Sequence, residues 1–349
     1  MKAWVLHGIN DLRYETVDNP SISDEEVLIS IKAAGICGSD IPRIYKTGAH
    51  THPIIPGHEM SGVVTKTGAN VDKAWQEARV GIFPLIPCGR CALCQKLQYE
   101  MCRHYSFLGS RRDGGFAEYA AVPVGNLIRI PDSITFEEAA MLEPMAVAVH
   151  AMRKMNLTSV DTVTVCGLGT IGLLLVMFLK DAGIKNILVI GNKDFQKNMS
   201  SHLGIDAVNY CDSNTQSVYD WTMERTDGMG TDVFFECVGK NDTFIQSINC
   251  TAPAGRICLV GNPYSDMDLE REVYWKILRK QLTVMGVWNS SFTKCENDDW
   301  NYALERMAGK RIKPAKLITH RFALEELEKG LHIMRDKTED YIKVMGVLD

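Results

Sequence analysis

Long apolar runs are missing from this chain of 349 residues. The longest, residues 171–179, falls far short of the ~20 residues that span a bilayer as a helix. The N-terminus, MKAWVLHGIN, lacks the apolar block of a secretory signal. A strong charge of one sign is also missing. With 38 Lys and Arg against 43 Asp and Glu, the net charge of -5 gives no footprint for nucleic acid or an anionic membrane surface. Internal repeats and low-complexity segments are absent. A cytoplasmic protein is therefore expected, and in that compartment its eleven cysteines should be thiols or metal ligands, not disulfides.

The chain changes character along its length. Residues 1–150 carry short alternating stretches such as VLISIKAAG and EMSGVVTKTG, broken by turn residues, and read as β-rich. Six apolar runs follow: VTVCG, ILVIG, AVNY, DVFFECVG, RICLVG and LTVMGV. Most are separated by helix-length stretches, which predicts a parallel six-stranded sheet covered on both faces, in an α/β chain. Helices are expected at 298–309 and 323–336, and across EEAAMLEPMAVAVHAMRKM with an interruption at Pro144. The expected division is 1–150 with 288–349 as one domain and 151–287 as the other.

The sharpest chemical signal is CGRCALCQKLQYEMC. Cys88, Cys91, Cys94 and Cys102 follow C-x2-C-x2-C-x7-C, and four thiolates this close can close a tetrahedral zinc shell with no open position. A structural zinc lobe over about 86–104 is expected. A second set is split between GICGSD, PGHEMSG and MLEPM. Cys37, His58, Glu143 and Glu59 supply a thiolate, an imidazole and carboxylates, a set that suits zinc with an open position. Such a zinc lowers the pKa of an alcohol oxygen, as it does for water. Ser39, two residues past the thiolate, is placed to carry away the hydroxyl proton, and Asp40 to fix the zinc shell.

The third signal is CGLGTIG, between the strand VTV and an apolar helix. Gly167, Gly169 and Gly172 form G-x-G-x-x-G, with Thr170 and Ile171 between them, in the context that makes this motif a dinucleotide site. An acid that binds the adenosine ribose is expected about 20 residues further on. The stretch LVIGNKDF has none there. Gly191 removes the side chain and its repulsion of a 2′-phosphate, Asn192 offers an amide donor and Lys193 a cation. NADP is expected over NAD. The alternative is that Asp194 takes over the ribose contact and the cofactor is NAD.

These residues fall in the order and spacing of a known family. The chain resembles the zinc-containing medium-chain alcohol and polyol dehydrogenases over essentially its whole length, and with Glu143 and the tail KPAKLITHRFALEELEKG it is similar to their sorbitol dehydrogenase branch. The resemblance implies a GroES-like catalytic domain made from both chain ends beside a Rossmann domain. It also implies two zinc ions per subunit, with Cys37, His58 and Glu143 as catalytic ligands and Glu59 reaching the metal directly or through water. The stretches CGSDIPRIYKTGAH, FLGSRRDGGFAEY and KILRKQLTVMGVW carry a narrower resemblance, which implies a phosphorylated hexitol as substrate. A sugar phosphate needs cations in its pocket, and Arg43, Arg111 and Arg112 are the candidates. Ribitol-5-phosphate and unphosphorylated polyols remain rival substrates, and a catalytically silent zinc- and dinucleotide-binding protein is the non-enzyme alternative. A homodimer, possibly doubled to a tetramer, is expected from pairing of the last Rossmann strands.

Overall fold

The computed structural model describes residues 1–348. Its chain forms two units, Met1–Ala146 with Ser290–Asp349, and Val147–Asn289.

The first unit is organised by strand Glu26–Ile36. Its apolar residues are buried along most of its length, so it pairs on both edges. Strands Glu59–Thr67, Tyr119–Pro123 and Lys343–Val347 all run antiparallel to it within a seven-stranded sheet. The register decides where the chemistry goes. Gly35 pairs with Glu59, and Ile36 pairs with Val344. One strand therefore ends, and two begin, at the same end of the sheet. Cys37 follows the first strand, His58 precedes the second, and Lys343 opens the third. Ile29, Ile31, Ile36, Met60 and Val64 bury this framework in the main core.

The segment around Pro144 differs from expectation. A capping box of Thr135 and Glu138 starts helix Phe136–Ala140, which breaks at Met141. A second helix, Leu142–Lys154, then begins, and Pro144 is its third residue. Proline is tolerated in a first turn, where its missing N–H would have no helical partner, so it does not interrupt the helix. The C-terminal tail gives helices Asp299–Ala308 and Leu327–Asp336. The second starts later than its pattern suggests, because strand Ile318–Ala323 and a 3₁₀ turn, Leu324–Glu326, come first.

The second unit holds a six-stranded parallel sheet, in the order Tyr210–Asp212, Asn186–Gly191, Thr162–Cys166, Thr231–Glu236, Thr251–Leu259 and Thr283–Gly286. Val163, Val165, Phe234, Phe235 and Ile257 are fully buried in its central strands. Of the run AVNY only the tyrosine is strand: Ala207–Asn209 is a 3₁₀ turn, and the strand itself is Tyr210–Asp212. No helix among the described residues is long and apolar enough to cross a membrane.

Candidate active site

Four sulfurs converge in the lobe. Cys91 and Cys94 lie 3.5 Å apart, Cys88 and Cys94 3.9 Å, and Cys91 and Cys102 3.9 Å. A tetrahedron with Zn–S bonds of 2.3 Å has edges of about 3.8 Å, whereas a disulfide would need about 2.0 Å. The donor set thus fits zinc in both chemistry and spacing. Backbone amides point at the sulfurs: the Cys88 N–H donates to Cys102 Sγ at 3.3 Å. The amides of Cys94 and Arg103 help pull the Cys91 thiol down to about 6, while burial pushes Cys94 up to about 12.

The second cluster forms at the shared strand end. Donor atoms of Cys37, His58 and Glu59 lie within 4.8 Å of one another. Ser39 Oγ donates to Cys37 Sγ at 3.3 Å. Asp40 is fully buried beneath them and accepts from the Cys37 N–H at 3.0 Å and from Arg43 at 2.6 Å. It lies 3.4 Å from His58 Nδ1, close enough for charge but not aligned for a hydrogen bond. Burial pushes the Asp40 carboxyl up, but His58, Arg43 and the Cys37 amide hold it below its ordinary value. Burial also disfavours a charged His58, yet Asp40 and Cys37 raise its pKa well above the ordinary value. A thiol, an imidazole with a buried nitrogen left without a hydrogen-bond partner, and a carboxylate, all converging, form a donor set that fits a zinc ion.

Lys343 is the residue that sequence reasoning missed. It is buried, pairs with the Glu59 carboxylate and donates to the Ile36 carbonyl at 3.1 Å. The available signal was a single cation in the apolar strand KVMGV. Glu143 stands outside the tight group of three but is buried near it, from the first turn of helix Leu142–Lys154. Burial raises its pKa to about 7, with His58 opposing the shift and Glu59 adding to it.

The candidate phosphate ligands separate. Arg112 is committed to Glu26, and Arg43 to Asp40. Arg111 instead lies exposed over the Tyr105 ring at 4.7 Å. Tyr105 packs edge-on against Phe107 at 6.5 Å, and Phe107 against His58 at 5.6 Å, so aromatic contacts connect this loop to the metal-binding cluster. The His50 amide donates to the Ser110 carbonyl at 3.2 Å and so ties a second loop to the first. Burial, then the charges of Arg111 and Arg43, lower the His50 pKa. His50 is not picked out from the sequence, because only this loop pairing ties its segment to the Arg111 loop.

In the second unit the glycine motif forms a tight strand-to-helix turn. Gly167 has φ +95°, and a Cβ there would come within 2.6 Å of Val238. At Gly172 a Cβ would strike the Gly167 carbonyl. Gly169 caps helix Thr170–Asp181, which Thr170 and Ile171 open. Anions bind at such helix starts, so the turn fits a pyrophosphate. Gly191 ends strand Asn186–Gly191, Asn192 and Lys193 are exposed, and Asp194 is the first residue of helix Asp194–His202.

Comparison with known proteins agrees with this geometry. Residues 23–132 match the alcohol dehydrogenase GroES-like domain, and residues 170–309 match the zinc-binding dehydrogenase family. The chain is 32% identical over 307 residues to galactitol 1-phosphate 5-dehydrogenase of Escherichia coli K12, covering 88% of each chain. It is 28% identical over 351 residues to sorbitol dehydrogenase of Bacillus subtilis, covering 99% of this chain and 96% of the relative. The crystal structure of galactitol-1-phosphate dehydrogenase from Escherichia coli superposes with a TM-score of 0.92 at 31% identity, covering 100% of both chains. The chain belongs to the zinc-binding dehydrogenases with a GroES-like domain, an oxidoreductase family that includes the polyol dehydrogenases.

Proposed function

We propose that this enzyme oxidises a secondary hydroxyl of a sugar-alcohol phosphate, galactitol 1-phosphate to L-tagatose 6-phosphate, with hydride transfer to NADP. The observation that carries the reaction class is the convergence of Cys37, His58 and Glu59 with Ser39 bonded to the Cys37 sulfur. Zinc bound there supplies a Lewis acid that polarises the substrate hydroxyl. Cys37, His58 and Glu143 would hold it, with Glu59, paired with Lys343, beside them. Ser39 Oγ, half-buried beside Cys37, would relay the hydroxyl proton, passing its own to solvent water as it accepts the substrate's, while buried Asp40, paired with Arg43, supports the cluster beneath His58. The Cys88, Cys91, Cys94 and Cys102 lobe holds a second, structural zinc.

Arg111 and His50 support a phosphate ester as the substrate. Arg111 is a cation and His50 a hydrogen-bonding imidazole on loops tied together beside the cluster, and among the described residues neither pairs with a carboxylate in the way that Arg112 and Arg43 do. The full-length match to a sorbitol dehydrogenase keeps an unphosphorylated polyol as the second reading. For the cofactor, the missing acid at 189–192 and the exposed Asn192 and Lys193 support NADP. The test is kcat/KM on hexitols, pentitols and their phosphates, with both cofactors.

Assembly follows from the edge of the parallel sheet. Strand Thr283–Gly286 has one unpaired side, and Tyr274, Trp275, Leu278, Val284 and Trp288 nearby in sequence are exposed. Such an apolar edge is a liability unless covered, and edge-to-edge pairing of two copies covers it. A homodimer, possibly doubled, is the expected species. Light scattering reporting a monomer at micromolar concentration contradicts it.

A further inference from the structure

The glycine at the end of the second parallel strand is not merely permitted. A Cβ on Gly191 would come within 2.8 Å of Tyr210 Oη and 3.0 Å of Tyr210 Cε2, and within 2.8 Å of Gln196 Oε1. Gln196 ends in a flexible amide and can move. Tyr210 cannot move at low cost: it is buried in the neighbouring strand, and its hydroxyl donates to the Lys193 carbonyl at 3.0 Å.

The same side chain shapes the turn that follows. Its backbone groups are held by residues outside the turn, and the Lys193 carbonyl accepts from the Lys197 amide at 3.2 Å as well as from Tyr210. The Ser213 amide donates to the Gly191 carbonyl at 2.9 Å, and Gln196 accepts from the Asn192 N–H at 3.0 Å. Asn214 donates to the Asn192 carbonyl at 2.9 Å, and Tyr210 donates to the Lys193 carbonyl. The turn is thus fixed before any nucleotide arrives, with the side chains of Asn192 and Lys193 on its exposed side. A fixed turn loses less entropy on binding an anion than a mobile one.

We propose that Tyr210 is the specificity-determining residue of the cofactor site. It excludes any side chain, and so any ribose-binding acid, from position 191, and it positions the 191–193 turn for a 2′-phosphate. This rests on the NADP reading above. It adds that selectivity is set by a pair of positions and cannot be reversed at Gly191 alone.

The experiment measures NADPH and NADH binding by nucleotide fluorescence, and Tm without nucleotide, on the zinc-loaded enzyme. The variants are Gly191→Ala, Tyr210→Phe, and Gly191→Asp with and without Tyr210→Ala. Gly191→Ala should lower Tm by a few degrees, since it adds one buried carbon against a rigid ring. Tyr210→Phe should weaken NADPH about threefold to tenfold, the range of one hydrogen bond, and leave NADH nearly unchanged. Gly191→Asp alone should lose stability without gaining NADH affinity. The double variant should lose less Tm than the sum of its single changes and should favour NADH. Full stability in Gly191→Ala, or an NADPH/NADH ratio unmoved by Tyr210→Phe, overturns the role of Tyr210. A wild type that binds NADH more tightly than NADPH overturns the NADP reading instead, and leaves the Gly191→Ala result to judge the steric claim.

Discussion

The two metal-binding clusters of the first unit solve opposite problems. In the lobe the four donors are of one kind, lie close together in sequence and are supported by backbone amides. Four such donors would leave nothing over for a substrate, so a zinc bound there would serve the fold. At the sheet end the donors are of three kinds and come from different strand ends. Their charges are balanced one by one, Asp40 by Arg43 and Glu59 by Lys343. A site held by its scaffold need not close around its metal, and on the function proposed above that would leave a position for a hydroxyl. The contrast teaches that ligand identity alone does not assign a role. What matters is whether the metal or the protein fold holds the ligands in place.

Removing one ligand from each cluster should separate them most widely. Cys88→Ser should release zinc and collapse the lobe, because a structural zinc contributes on the order of 10 kcal/mol to its fold. Zinc content and circular dichroism check it. His58→Ala should keep its Tm and its lobe zinc but lose turnover about a thousandfold or more, as expected when Lewis-acid stabilisation worth several kcal/mol disappears. A His58→Ala protein that unfolds, or a Cys88→Ser protein that keeps both zinc ions and full stability, breaks the distinction.

Charge balance gives the next effect. Lys343→Met leaves Glu59 as a buried carboxylate without its partner, at a cost of about 3–5 kcal/mol, to be read by chemical denaturation. Glu59→Gln in the same chain should recover much of that loss. Among the described residues no buried cation pairs with a lobe donor in this way, so the same denaturation on Arg90→Ala or Arg103→Ala should shift by less than about 0.5 kcal/mol, as is usual for an exposed surface site.

The smallest effect concerns the substrate. Arg111→Ala should lower kcat/KM on the phosphorylated polyol by about tenfold to a hundredfold, the worth of one charge-assisted contact, and leave the unphosphorylated polyol unchanged. An equal loss on both substrates would make Arg111 a structural residue that supports Tyr105.

Local patterns were legible in the sequence and distant pairings were not. The lobe cysteines lie within fifteen residues of one another and announce themselves by spacing. The central strands of the parallel sheet read as apolar runs because both faces are buried. Lys343 lies 284 residues from Glu59, and only the register of three antiparallel strands brings them together. His50 joins Arg111 through one backbone hydrogen bond between loops. The helix breaks at Met141 and not at Pro144, because a proline in the first turn of a helix forfeits no helical hydrogen bond, and its place in the turn is not visible in the sequence pattern. Tyr210 was hidden for a similar reason: its ring meets Gly191 across a strand pair, and AVNY showed only an apolar run.

The most direct test of the central claim is kcat/KM of the zinc-loaded enzyme on galactitol 1-phosphate and on galactitol, with NADP. An Arg–phosphate contact worth a few kcal/mol predicts a preference for the phosphate ester of roughly a hundredfold. Equal efficiency on the two substrates would contradict the account and leave a plain polyol dehydrogenase.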